Sequence, residues 1–223
     1  MLGTAACRLG PGSSELVNRY VEVSLRIRSG MATNTESVDL VGDEAATNLA
    51  RAALFAALVG AFAYVTFPNP VSPVDVTLQV LGVFLAGIFL GPVWGGASLV
   101  LYLAAGALGA PVFEGGSAGF GQLVGQTAGY LWSYPVAAAV VGAVVHRGAT
   151  LRDLDSVGLP TLVGAMVLGT VVIYGFGVAG LMLVLSLGPI EAIAAGAAAF
   201  LPAEALKIAA AVGVVRSDAI AAA

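Results

Sequence analysis

Residues 77–96 read TLQVLGVFLAGIFLGPVWGG, two apolar runs separated only by Gly91-Pro92. Proline cannot donate the backbone hydrogen bond that would carry a helix through, and a glycine before it tolerates backbone that other residues avoid. The stretch therefore predicts two helical spans, one over 77–90 and one over 94–108. Working outward, Asp75 and Glu114 are the only acidic or basic residues between Ala53 and His146. A run that long and that poor in charge cannot present a solvated surface to water. Its solvent is lipid.

Composition agrees. Of 223 residues, 59% are hydrophobic and only 10% charged, against about 25% charged in soluble domains, and the mean hydropathy is +0.97. The net charge of −4 leaves no basic patch for phosphates, which excludes nucleic-acid binding. One cysteine, Cys7, excludes a disulfide framework or a cysteine-based metal site. No metalloprotease, nucleophile-elbow or P-loop motif occurs, so no enzymatic function, cofactor or metal is expected. Without an ATP site, uphill transport needs an energising partner. His146 closes an apolar run beside Arg147, as a membrane-interface residue does.

Spans of about 20 apolar residues divide the remainder into an all-α, polytopic bundle of six crossings. The first covers 49–67, ending at Pro68-Asn69-Pro70; the fourth covers 122–145 and the fifth 159–187. Prolines 189 and 202 each fit the first turn of a helix. A short or re-entrant piece over 189–200 and a last span over 202–217 are therefore expected. Residues 1–47 form a polar N-terminal extension, expected to be disordered, although Val21, Val23, Leu25 and Ile27 alternate as a strand would. Met31 is a plausible alternative start. Residues 48–217 are the membrane domain, and 218–223 a tail.

Arg51, Arg147, Arg152 and Arg216 all flank spans on one side if both termini are cytoplasmic. The loops at 68–75, 110–121 and 188–201 then face outward and carry no Lys or Arg. The unusual polar and aromatic residues gather near them: Asp75, Thr77 and Gln79; Phe113 and Glu114; Gln126, Thr127 and Tyr130; Glu204 and Lys207. Polar groups in lipid are costly unless they pair or bind something, so the outward end is the candidate site. Small residues recur every four positions on the first helix, as Ala52, Ala56 and Gly60 and as Ala53, Ala57 and Ala61. Such rows permit close helix packing or the docking of another membrane subunit.

Four motifs occur in a telling order: TLQVLGVFLAGIFLGPVWGG at 77–96, LYLAAGALGAPVFEGG at 101–116, GQTAGYL at 125–131 and FLPAEALK at 200–207. Together they resemble BioY, the substrate-binding S component of energy-coupling factor (ECF) biotin transporters. The resemblance implies a six-helix S-component bundle in the cell membrane, multi-pass, which captures biotin from the outer face. It also implies partners, a transmembrane T subunit and two ABC-type ATPases, with Ala53, Ala57 and Ala61 on the T-subunit contact. The last motif of the family usually has Asp where this chain has Glu204, and the fourth-helix motif usually has Pro where this chain has Gln126.

Biotin offers a carboxylate, a ureido group and an apolar bicyclic body, so its pocket needs a cation, an acceptor, a donor and aromatic walls. Lys207, the only lysine, and Glu204 are the expected charged groups. Gln79 or Gln126 would supply an amide, Thr127 a hydroxyl, Glu114 a loop carboxylate, and Tyr102, Phe113 and Tyr130 the walls. A stand-alone biotin facilitator and an S component for another vitamin are the alternative readings.

Overall fold

The computed structural model describes residues 19, 21–24, 42–70 and 72–217. Contacts divide the chain into Met1–Gly42 and Asp43–Ala223. In the first unit, residues 21–24 are helical rather than extended. Leu25, Ile27, Met31 and the expected disorder of the extension lie outside the described residues, as does the tail at 218–223.

The second unit is all-α apart from one very short ladder. Helix α1 spans Asp43–Phe62, starting and ending earlier than the expected 49–67. After it the chain turns into β1 (Thr66–Phe67), which pairs antiparallel with β2 (Val76–Thr77). Val65, Thr66 and Phe67 favour extended backbone, and Pro68 enforces it on the residue before it. Helix α2 spans Gln79–Ala107, interrupted at Gly91, which adopts φ 73° and ψ −175°. That break is a reversal. A Cβ on Gly95 would stand 3.0 Å from the Cα of Gly87, positions that a straight helix would hold about 12 Å apart. The halves 79–90 and 92–107 are therefore two crossings folded on each other.

Helix α3 spans Ala128–His146, starting later than the expected residue 122. The intervening glycines at 119, 121 and 125 instead carry a 3-10 turn over Phe120–Leu123 and an open bend. Helix α4 spans Leu159–Leu185, α5 spans Pro189–Gly196 and α6 spans Leu201–Val215, with the 3-10 turn Ala198–Phe200 between the last two. Pro189 and Pro202 both sit in first turns, as expected. Among the described residues, five helices are long and apolar enough to cross a membrane when α5 and α6 are taken together, and the hairpin in α2 makes six crossings.

Helix α3 packs against both α2 and α4, and α1 lies on α2. The core is an apolar cluster through α1 to α4, closed by Phe200, Ala211 and Val215. His146 belongs to this interior, buried rather than at an interface. The two small-residue rows on α1 part company: Ala52, Ala56 and Gly60 are buried, whereas Ala53, Ala57 and Ala61 are exposed.

The half-helix 79–90 is about 18 Å long, short of the roughly 30 Å hydrocarbon layer. The remaining depth is crossed by non-helical backbone, which membranes tolerate where it is buried in protein or lines a cavity. That is where the cleft lies.

Candidate ligand-binding cleft

A narrow cleft enclosing about 530 Å³, its mouth included, opens between the β1–β2 turn, the 110–123 loop and α2, α3, α4 and α6. Of the residues expected from sequence, Gln79, Phe113, Glu114, Thr127, Tyr130 and Lys207 line it.

Its innermost polar group is the pair in α6. Lys207 Nζ donates to Glu204 Oε1 at 2.6 Å, and the side chains are only 4% and 3% exposed. Spacing of three puts both on one helix face. The Tyr174 hydroxyl, from α4, donates to the same Oε1 at 2.8 Å, while Glu204 Oε2 is buried with no partner among the described residues. A buried ion pair is poor stabilisation compared with apolar packing of the same shape, and a buried carboxylate oxygen left unsatisfied makes it poorer still. Glu204 does not itself line the cleft: it stands behind Lys207.

The second polar group is a relay at the start of α2. The Thr77 hydroxyl donates to Gln79 Oε1 at 2.9 Å, and Gln79 Nε2 donates to the Tyr102 hydroxyl at 2.5 Å. The amide is thereby held in one orientation, its nitrogen towards Tyr102. Tyr102 supports the cleft from behind rather than lining it, and meets Phe113 edge-on at 5.5 Å. Phe113 is in turn seated on the bare backbone of Gly106, where a Cβ would stand 2.2 Å from its ring.

Aromatic side chains form the opposite wall. Tyr130 meets Tyr174 edge-on at 6.0 Å, and Tyr174 meets Phe200 at 5.6 Å. The Tyr130 hydroxyl donates to the Gly196 carbonyl at 2.6 Å, tying α3 to the end of α5. Its hydroxyl is thus engaged by the fold, and the ring is what faces the cleft.

The mouth is acidic. Asp75 and Glu114 both line it and both are half-buried. Burial pushes the Glu114 carboxyl above the usual carboxylate range; the nearby Asp75 carboxylate adds to this, and a backbone N–H of Asp75 donated to Glu114 opposes it. The loop is pinned to the end of α1, since Gly115 N donates to Ala63 O at 3.1 Å and Tyr64 OH to Pro111 O at 2.6 Å.

Gln126 is placed elsewhere. It is exposed and donates through Nε2 to Pro73 O at 3.1 Å, bracing the turn before β2. Sequence reasoning also missed Gln122, Tyr134, Ile173, Tyr174 and Phe200, all of which line the cleft. Tyr134 stands one turn after Tyr130 and was legible by that spacing; Ile173 and Tyr174 lie in an unbroken apolar run that marks no face. No cluster of His, Cys, Asp and Glu among the described residues could hold a metal ion.

Comparison with known proteins places this architecture. The biotin transporter BioY of Rhodobacter capsulatus is 38% identical over 169 residues, covering 72% of this chain and 87% of its own length. That of Rhizobium etli is 35% identical over 168 residues, covering 72% and 86%. Among solved structures, the S-component for biotin from an ECF-type ABC transporter superposes with a TM-score of 0.71 at 22% identity, over 79% of this chain and 92% of that one, which shows the shared fold. Residues 31–222 match the model of the BioY family, and to that family of transporters, not to any class of enzyme, the chain belongs.

Proposed function

We propose that this chain is the membrane-embedded, high-affinity biotin-capture subunit of an ECF-type uptake system. In this reading it sits in the cell membrane with both termini cytoplasmic, takes biotin from the outer face, and docks on a T subunit coupled to two ATPases. The relatives' names supply the ligand. The observation that carries the reading here is the Lys207–Glu204 pair, buried at the end of a cleft and left with unused hydrogen-bonding capacity.

The pair suits the ureido ring. Its two charges cancel, so it presents a donor with no net charge, and the cyclic urea is a neutral group with a carbonyl. Lys207 Nζ keeps two N–H groups after serving Glu204, one of which is available for the ureido carbonyl. Glu204, behind it, holds that ammonium in place and cancels its charge. Tyr130, Phe113 and the buried relay at Gln79 enclose the apolar bicycle, and the acyl tail extends towards the mouth between Thr127 and Glu114. The exposed row Ala53, Ala57 and Ala61 supports α1 as the docking face, since small side chains let a partner helix approach closely.

Calorimetric titration of biotin into the purified protein, with Lys207→Ala beside it, tests the reading. Removing one partner of a desolvated charged pair costs about 2–5 kcal/mol, so affinity should fall by at least tenfold. Tight binding that survives the substitution would reduce the pair to structure. Rapid uptake by vesicles holding this protein alone would favour a stand-alone facilitator.

A further inference from the structure

The ligand proposed for this cleft is an anion, yet among the described residues the cleft carries no spare positive charge. Lys207 is neutralised by Glu204 at 2.6 Å, and the remaining ionisable carboxylates on the walls are Asp75 and Glu114. Their position is fixed rather than incidental. Asp75 immediately precedes β2, Glu114 opens the 3-10 turn at Glu114–Gly116, and the backbone bond from Gly115 to Ala63 and the hydroxyl bond from Tyr64 to Pro111 hold that turn in place. The other titratable groups facing Glu114 are Tyr102 from α2 and Tyr134 from α3, neither of which brings a positive charge. From α6 the cleft receives only the compensated Lys207.

We propose that Asp75 and Glu114 form a charge filter at the mouth, which weakens capture of ligands with an anionic tail and leaves neutral-tailed ligands unaffected. The inference rests on the biotin reading. With the ureido ring on the buried pair, the acyl tail carries its carboxylate outward, against these two acids. Repulsion between like charges is strongest where water is partly excluded, as it is for two half-buried side chains. Glu114, reluctant to ionise because of its burial and the nearby Asp75, takes up a proton as the medium is acidified and relieves the repulsion. The sign follows from the raised Glu114: biotin is held more tightly as pH falls, over the range in which its own carboxylate stays ionised. Biotinamide, whose tail is uncharged, is held with little dependence on pH. The mouth is thereby a specificity determinant, admitting amidated tails at neutral pH more readily than the free acid.

The test is calorimetric titration of the full-length protein in lipid nanodiscs with biotin and with biotinamide, between pH 5.5 and 8. For the wild type, biotin affinity should fall about threefold to tenfold across that range while biotinamide stays level. Glu114→Gln should flatten the biotin profile and strengthen binding at pH 8, and Asp75→Asn combined with it should strengthen binding further. An unchanged slope in the double variant, or an equal slope for biotinamide, would overturn the filter while leaving the biotin reading intact. Weaker biotin binding by Glu114→Gln at every pH would also overturn it, by showing Glu114 to be a direct acceptor. Failure of the folded wild type to bind either ligand would overturn the biotin reading itself, and the filter with it.

Discussion

His146 Nε2 lies 2.8 Å from the carbonyl oxygen of Ile88, the oxygen that Pro92 leaves without a helical donor. Proline at position i removes the hydrogen bond to residue i−4, and Ile88 is that residue. The other ring nitrogen, Nδ1, accepts from the backbone N–H of Arg152 at 3.0 Å. The imidazole thus donates at Nε2 and accepts at Nδ1, which is the neutral ring. One side chain at the end of α3 caps the α2 reversal and fastens the link that follows.

Replacing His146 by alanine should therefore destabilise the bundle without touching the cleft. A buried carbonyl left without its donor costs about 1–3 kcal/mol. Thermal unfolding in lipid should show a lower midpoint for His146→Ala, with biotin affinity kept. An unchanged midpoint would mean that the Ile88 carbonyl finds another donor.

Tyr174→Phe should weaken biotin binding and lower the unfolding midpoint. The hydroxyl holds Glu204 Oε1 from a different helix, and a hydrogen bond to a charged group contributes about 1.5–3 kcal/mol. Calorimetry should show a dissociation constant raised by roughly an order of magnitude. A wild-type value would mean that Lys207 alone orients the carboxylate.

Gly177 is held at glycine by the ring beside it. An added Cβ would stand 2.1 Å from Tyr130 Cε1, so Gly177→Ala must push Tyr130 aside and strain its bond to Gly196. Overpacking of this kind costs about 1–3 kcal/mol, seen as a lower unfolding midpoint together with weaker biotin binding. Gly175→Ala, with nothing within 4 Å of the new carbon, is the control expected to keep both.

The two alanine rows on α1 should separate stability from assembly. Ala56→Leu enters the core and should destabilise, whereas the exposed Ala57→Leu should keep the fold and biotin binding. If α1 is the docking face, Ala57→Leu should nonetheless lose co-purification with a T subunit. Retained co-purification would move the contact to another face.

Much of the bundle was legible because the signals were local. Gly91-Pro92, Pro189 and Pro202 each act on their own backbone, and each marks a real boundary. The start of α3 was not legible, because hydropathy cannot distinguish a glycine-rich apolar turn from the first turns of a helix. That error put Gln126 on a helix, when it lies on the bend and braces Pro73. The rows Ala52–Ala56 and Ala53–Ala57 are equivalent in composition, and only the packing of α1 on α2 tells them apart. Glu204 and Lys207 were found by charge alone; that one lies behind the other depends on Tyr174, from a helix with no polar spacing to reveal it.

The shortness of 79–90 sets how far a ligand must travel. A half-helix of about 18 Å reaching from the far side leaves the relay at Gln79 on the order of 12 Å beneath the near edge of the hydrocarbon layer. A molecule seated there would lie more than a third of the way through a layer of that thickness. What remains is the thicker portion, the roughly 18 Å spanned by the half-helix itself, with the Gly91 reversal at its far end.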